Sequence, residues 1–184
     1  NEFIDTVLAN DPHHRVSVAI VPYNAQVNIG NDLKSAFTLT HVAGVQDVNC
    51  VEIPDAAFNA QAIPTTLPMP MMAYADIAYG TNKINGYVAP TDTSYATPTL
   101  DAANTIANAY CKPTTVNAVR LPSSDPVQLK SWINALQAGG NTSITLGMKW
   151  GATMIDPGLR PAYAGYIGAG KMGASLVDRP FAYS

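Results

Sequence analysis

Residues 129–156 read LKSWINALQAGGNTSITLGMKWGATMID, and this stretch predicts two helices separated by a glycine turn. In the first helix the apolar residues recur at the spacing of one helical face, at Leu129, Trp132, Ile133 and Leu136. Gly139 and Gly140 end that helix. The second helix is predicted over residues 142–156 and is apolar on nearly every side, which is typical of a buried helix. We therefore expect Thr142 at the N-terminal end of a buried helix, at the mouth of a sheet.

Local signals support both helices. Asp125 can cap the first helix, Pro126 suits its first position, and Gln128 stands where a capping box has its second member. In the second helix, Gly147 and Gly151 are four residues apart and would allow close approach to a sheet. The stretch thus predicts an amphipathic helix on a core, followed by a helix inside that core.

A second informative segment lies near the start of the chain, where residues 15–24 read RVSVAIVPYN. Residues 16–21 form a nearly continuous β-branched apolar run, which is typical of a strand buried on both faces. After a turn, residues 26–29 alternate and predict an antiparallel edge strand. Residues 1–9 place their apolar side chains on one helical face without a good cap, so we expect the last turns of a longer helix.

Residues 15–24 and 129–156 resemble, in sequence and in order, segments of the TadG-like family of bacterial Flp (tight-adherence) pilus-assembly proteins. That family carries a von Willebrand factor A domain. The resemblance implies an α/β fold with a von Willebrand factor A-like (Rossmann-type) sheet that is incomplete in this chain. Residues 1–184 would be a fragment of one such domain, with a loop-rich insertion at about 30–114 and a C-terminal loop at 157–184.

The predicted insertion follows no long periodic pattern, because prolines and polar turn residues interrupt it. We expect short helices around residues 55–61 and 100–110 and a small hairpin near Tyr87. Five tyrosines between positions 74 and 110 supply apolar mass that disordered segments usually lack. After the insertion, residues 116–121 predict a short strand, and the Gly-, Pro- and Tyr-rich residues 157–184 predict a further loop.

The resemblance assigns a metal role to Thr142. In that domain three loops supply oxygen ligands to a divalent cation, and a threonine after a glycine-rich turn is one of them. The other ligand loops would lie before Asn1 and after Ser184, so Thr142 is the single candidate ligand. We expect no cofactor in this fragment, and Mg²⁺ or another divalent cation in the intact domain. The alternative role for Thr142 is a plain helix N-cap.

Composition and charge restrict the function classes. The formal net charge is −3 without a basic cluster, so neither nucleic acid nor an anionic membrane surface is an expected partner. No apolar run approaches 18 residues, so no membrane contact is expected within the chain. Charged residues make up only 12% of the sequence, which suits an exported protein.

The two cysteines, Cys50 and Cys111, are far apart and lack a metal-binding spacing. The export-like composition and the family resemblance favour a disulfide between them, and the alternative is a pair of buried free thiols. A disulfide would close a loop of about 60 residues and contribute roughly 4 kcal/mol in the chain-entropy model.

No sequence motif points to catalysis. The chain has no G-x-S-x-G elbow and no phosphate loop, so we expect no enzyme activity. The resemblance implies a non-enzymatic cell-envelope interaction protein in Flp/Tad pilus assembly and surface adherence. It would lie in the periplasm or at the cell surface, anchored by a membrane helix outside this fragment. The alternatives are an exported adhesin-type or ligand-binding module and, from a different class, a secreted hydrolase with a polar cleft.

Partner contacts are predicted at two places. Methionines between prolines make an adaptable apolar surface, so we expect exposed partner-binding residues at Met69, Met71, Met72 and Tyr74. The resemblance makes pilus-assembly components the expected partners. The missing strands would also leave residues 16–21 with an unpaired edge, which predicts self-association, strand capture, or coverage by the chain's own loops.

Overall fold

The computed structural model describes residues 1–11, 15–40, 49–71, 111, 116–138 and 142–173. The helices are α1 (Glu2–Ala9), α2 (Gly30–Lys34), α3 (Asp55–Phe58), α4 (Pro126–Ala135), α5 (Ile144–Met154) and α6 (Arg160–Gly168), with a 3₁₀ turn at Pro157–Leu159 before α6. The strands are β1 (Val18–Ile20), β2 (Leu39–Thr40), β3 (Met69–Pro70) and β4 (Arg120–Ser123). The predicted helix at 100–110 and the hairpin near Tyr87 lie outside the described residues.

The strands form two small sheets within the described ranges. β1 pairs antiparallel with β4, with Val18 opposite Ser123 and an irregularity before Ile20. β2 pairs parallel with β3, in register from Leu39 and Met69. All of β1 is half-buried, so the prediction of a strand over 16–21 buried on both faces is wrong for this segment. The antiparallel partner and the short length leave β1 partly open to solvent.

Asn28 lies inside the fold and not on an edge, which corrects the prediction of an edge strand over 26–29. It forms an antiparallel bridge with Cys50 and a parallel bridge with Ala118. Its backbone oxygen accepts from the Val119 amide at 2.8 Å, and its Oδ1 accepts from the Gly30 amide at 2.9 Å. Because Asn28 is fully buried, these bonds satisfy polar groups that would otherwise destabilise the core.

The main core surrounds Trp150 of α5, which is 1% exposed. The Phe37 ring packs edge-on against the indole, with centroids 5.3 Å apart and an interplanar angle of 81°. An edge-to-face contact adds to the free energy of burying two large rings. The same cluster contains residues from most of the chain, including Val27, Leu33, Val51, Ile63, Met69, Met154 and Tyr163.

α4 packs on α1, and the residues of the main core cluster come from other elements. Leu129 and Ile4 are buried, and Lys130 forms an ion pair with Asp5. Asp125 caps α4 as predicted, accepting from the amides of the second and third helical residues at 2.8 and 3.2 Å. The predicted apolar face is only partly covered, because Leu136 follows the last helical residue and is exposed.

The capping box is not formed, which corrects the role predicted for Gln128. Its Oε1 accepts from Ser123 Oγ at 2.9 Å, and Ser123 Oγ in turn accepts from the Asp125 amide at 3.2 Å. In a capping box the Gln128 side chain would accept from the Asp125 amide. Ser123, two residues before the cap, accepts from that amide instead.

α5 is buried on one side only, so the prediction that this largely apolar helix is wholly buried is wrong. Its inward side holds Gly147, Lys149, Trp150, Thr153 and Met154. We call the other side the outward face, and we include in it Ile155, the C-cap of the helix. The outward face consists of Ile144, Thr145, Met148, Gly151, Ala152 and Ile155. Met148 is 71% exposed and Ile144 is 60% exposed.

The chain after α5 is helical, which corrects the prediction of a loop over 157–184 for its described part. Asp156 caps the 3₁₀ turn by accepting from the Gly158 amide at 2.7 Å, and Pro157 follows the cap. Tyr163 and Tyr166 then anchor α6 in the core. Glycine and proline composition suggested a loop, but the cap and the two buried tyrosines determine the structure. Residues 174–184 lie outside the described residues.

Candidate functional site

The start of α5 contacts the turn that follows β1. The Ser143 amide donates to the Asn24 carbonyl at 2.6 Å, and Ser143 Oγ caps α5 by accepting from the Leu146 amide at 3.4 Å. One turn later Gly147 lies against the Tyr23 ring, where a Cβ would come within 2.6 Å of the ring. A residue without a side chain is needed for this approach. The two segments that carry the family resemblance therefore touch each other.

Thr142 is exposed and stands one residue before the helix cap. Ser143 takes the capping role, so the alternative reading of Thr142 as a plain N-cap is wrong. The described residues hold no group of three or more histidine, cysteine or acidic side chains that could share a metal ion. They supply no ligand set around Thr142. Its role as a ligand in the intact domain stays a prediction. Gly139, Gly140 and Asn141 lie outside the described residues.

Two of the four predicted partner-binding residues, Met69 and Met71, belong to the described residues. Met69 is fully buried in β3, so the prediction that it is exposed for partners is wrong. Its amide donates to the Thr38 carbonyl at 2.9 Å, and its side chain fills the main core. Met71 is half-buried and its amide donates to the Thr40 carbonyl at 3.0 Å. Met72 and Tyr74 lie outside the described residues.

The disulfide between Cys50 and Cys111 is present, with both cysteines fully buried and their Cα atoms 5.2 Å apart. The Asn49 amide donates to the Cys111 carbonyl at 2.9 Å beside it. This confirms the predicted pairing and indicates an oxidising, exported location. Every helix in the described ranges is too short or too polar to span a bilayer.

Lys149 is a buried cation that the sequence pattern did not single out. It is 8% exposed, its Nζ donates to the Ala60 carbonyl, and it lies 5.7 Å from the Phe58 ring centroid. One turn further on, Thr153 Oγ1 accepts from the Ile63 amide at 3.0 Å. The signal available in the sequence is a single lysine within an otherwise uncharged helix. These contacts attach the segment after α3 to the inward side of α5.

A surface pocket of about 390 Å³ lies between that segment and the 3₁₀ turn. Ile63 and Leu159 are its apolar lining residues with the largest side chains, and Gln61, Thr65 and Thr66 add uncharged polar groups. Asp156 supplies the carboxylate among its lining residues, and one of its oxygens already caps the turn. Hydroxyl, amide and carboxylate groups among its described lining residues make the pocket suited to hydrogen bonding.

Two tyrosines of α6 titrate above their ordinary range. Burial raises the pKa of Tyr163, and the neighbouring Tyr166 adds to the rise. Burial is also the main cause of the raised pKa of Tyr166. Tyr163 Oη donates to the Met154 carbonyl at 2.5 Å, and Tyr166 Oη donates to the Asp32 carbonyl at 2.6 Å. Both hydroxyls therefore hold α6 in place as neutral donors.

Comparison with family models, with curated proteins and with solved structures finds no match to this chain. The described residues define a mixed α/β chain with an internal disulfide and an exposed, uncharged helix face.

Proposed function

We propose that this chain is part of a non-enzymatic cell-envelope protein that binds other proteins during Flp/Tad pilus assembly and surface adherence. The observation that carries the proposal is the contact between the two segments of family resemblance, made by the 2.6 Å bond from the Ser143 amide to the Asn24 carbonyl. Segments that lie far apart in sequence and meet in space are expected if both belong to one functional end of the domain.

The buried disulfide supports an exported protein, and the periplasm or the cell surface is the location that fits the proposal. The proposed binding surface is the outward face of α5, with Thr142 at its start. A solvated helix face normally carries charged side chains, and this one carries none. Its partners would be pilus-assembly components, and divalent-metal binding at Thr142 would belong to the intact domain.

Deletion of the gene from the parent bacterium, followed by complementation, tests the proposal. We expect the deletion strain to lose pili and surface adherence, and the wild-type gene to restore both. Thr142→Ala should restore neither if the intact domain uses this hydroxyl. Thr6→Ala on α1 is the matched control, because Thr6 is an exposed threonine outside the outward face of α5.

A deletion strain with normal pili and normal adherence would refute the pilus proposal. Recovery by Thr142→Ala as complete as by Thr6→Ala would remove Thr142 from the proposed surface and leave the pilus assignment in place. Protein level and disulfide content, measured by thiol alkylation in each strain, show that the variants reach the envelope folded.

The second candidate is an exported ligand-binding module, favoured by the pocket beside Asp156. Hydroxyl, amide and carboxylate groups beside apolar lining residues suit a small molecule rich in hydroxyl or ammonium groups. Thermal unfolding in the presence of monosaccharides and small amines tests it. An increase in melting temperature that disappears in Thr65→Val would support this candidate, and no increase with any probe would remove it.

A further inference from the structure

The outward face of α5 is self-complementary. The helix runs from Ile144 to Met154, about 16 Å, and its large exposed side chains are Ile144, Met148 and Ile155. At 100° per residue these three lie within about 40° of one another around the helix axis, so they form one stripe along its length. Gly151 lies on the same stripe, and no described atom is within 4 Å of the place where its Cβ would be.

These four residues have a symmetric order along the helix. Ile144 and Ile155 lie equally far from the midpoint between Lys149 and Trp150, and Met148 and Gly151 lie equally far from it on opposite sides. A second α5 can be placed antiparallel on the first, about a two-fold axis at this midpoint. Ile144 of each copy then faces Ile155 of the other copy. Each Met148 then stands level with the space left by the Gly151 of the other copy. Each large side chain of the stripe therefore faces either an isoleucine or the space beside Gly151, which we call the notch.

Charge also agrees with a self-contact. A two-fold contact brings each residue near its own copy or near another residue of the same face, so like charges on that face would repel. The outward face contains no ionisable side chain, and Lys149 points to the inward side, where its Nζ bonds to Ala60. Glycine near the centre lets two helices approach closely, as small residues do at tightly packed helix pairs.

We propose that the outward face of α5 binds the same face of a second copy of this chain, in an antiparallel, two-fold symmetric contact. The proposal depends on the proposed function only for the choice of α5 as the binding surface, and it names the occupant of that surface. A helix of this length buries less than the roughly 800 Å² per partner of a standard interface, so the dimer is weak and concentration-dependent.

Directed cross-linking tests this proposal. It uses variants of the 184-residue chain that each carry one added cysteine, called single-cysteine variants below. Both native cysteines are in the disulfide, so an added cysteine is the free thiol of the chain. Ile144→Cys and Ile155→Cys, both at exposed positions, are mixed and oxidised under mild conditions. We expect the mixture to give a covalent heterodimer well in excess of the homodimer that either variant gives alone. Val127→Cys, on exposed α4, mixed with either variant measures random collision.

A further substitution tests the notch. Gly151→Leu, introduced into both single-cysteine variants, should lower the heterodimer yield by about tenfold, because the notch that receives Met148 is filled. Gly165→Leu on α6, where a Cβ also meets open space, is the matched control and should leave the yield unchanged. Circular dichroism checks that each variant is folded.

Three results would overturn the proposal. The first is a heterodimer yield no higher than that of the Val127→Cys collision control. The second is stronger cross-linking in each variant alone, which indicates a parallel contact. The third is equal loss with Gly151→Leu and Gly165→Leu. None of these depends on pili, so a failed dimer and a failed pilus assignment are distinguished.

Discussion

The two faces of α5 differ in burial, because one side lies in the core and the other is largely exposed. The inward side buries Trp150, attaches the segment after α3 through Lys149 and Thr153, and packs against Tyr23 at Gly147. The outward face carries no charged side chain, and it makes none of these contacts. Apolar residues of one helix can therefore stabilise the core or form a binding surface. The sequence pattern is the same for both, and only the tertiary structure shows which residues are buried.

The largest expected difference between the two faces is in the effect of an alanine substitution on the free energy of unfolding. Trp150→Ala leaves a cavity beside Phe37 and should lower the free energy of unfolding by about 3–5 kcal/mol. Met148→Ala, two residues earlier and 71% exposed, should change it by less than about 0.5 kcal/mol. Urea denaturation of both variants measures the difference. Equal losses would show that Met148 is covered within the monomer.

The next effect concerns the bond from α5 to the segment after α3. Thr153→Val keeps the shape of the side chain but leaves the Ile63 amide without its acceptor, at a cost of about 1–3 kcal/mol. Thr145→Val on the outward face is the control and should stay within about 0.5 kcal/mol of wild type. An unchanged stability in Thr153→Val would mean that the buried bond contributes nothing net.

The two glycines of α5 should respond in opposite directions. Gly147→Ala forces the new Cβ into the Tyr23 ring, so overpacking should cost about 1–3 kcal/mol. Thermal unfolding, monitored by circular dichroism, measures the loss. The double variant with Tyr23→Ala should recover part of it, and no recovery would indicate that the clash is not with Tyr23.

The smallest expected effect is a gain. Gly151→Ala places a methyl group in open space on a helix, and should stabilise the chain by about 0.5–1 kcal/mol because alanine loses less backbone entropy. The measurement is the same thermal unfolding at low protein concentration. A loss of stability would mean that another part of the chain occupies the space beside Gly151.

Local chemistry in the sequence was enough to predict part of this structure. The Asp125 cap with Pro126 fixed the start of α4, and the short helix at Asp55–Phe58 and the strand near 116–121 were found within a few residues. The Cys50–Cys111 pairing followed from composition and resemblance and is confirmed. Each of these depends on residues near one another in sequence or on general composition.

The errors at Met69 and at α6 have a common physical origin in contacts between residues far apart in sequence. Met69 is buried because β3 pairs with β2, about thirty residues earlier, and no local pattern reveals that pairing. α6 was missed because its buried tyrosines find their partners at Asp32 and Met154, while its local glycines and prolines suggested a loop. Thr142 was correctly placed near the start of α5, but its neighbour Ser143 provides the cap. Long-range contacts determined what local propensity left open.

The most direct test of the central claim, that this exported chain works through the outward face of α5, is a count of pili per cell in complemented deletion strains. Met148→Asp introduces a charge on the outward face, and Val127→Asp introduces one at an equally exposed apolar position in the first turn of α4, where an acidic residue is favourable. We expect Met148→Asp cells to lose pili and Val127→Asp cells to keep them, with equal amounts of folded, disulfide-bonded protein in both. Wild-type pilus numbers in Met148→Asp cells would contradict the claim.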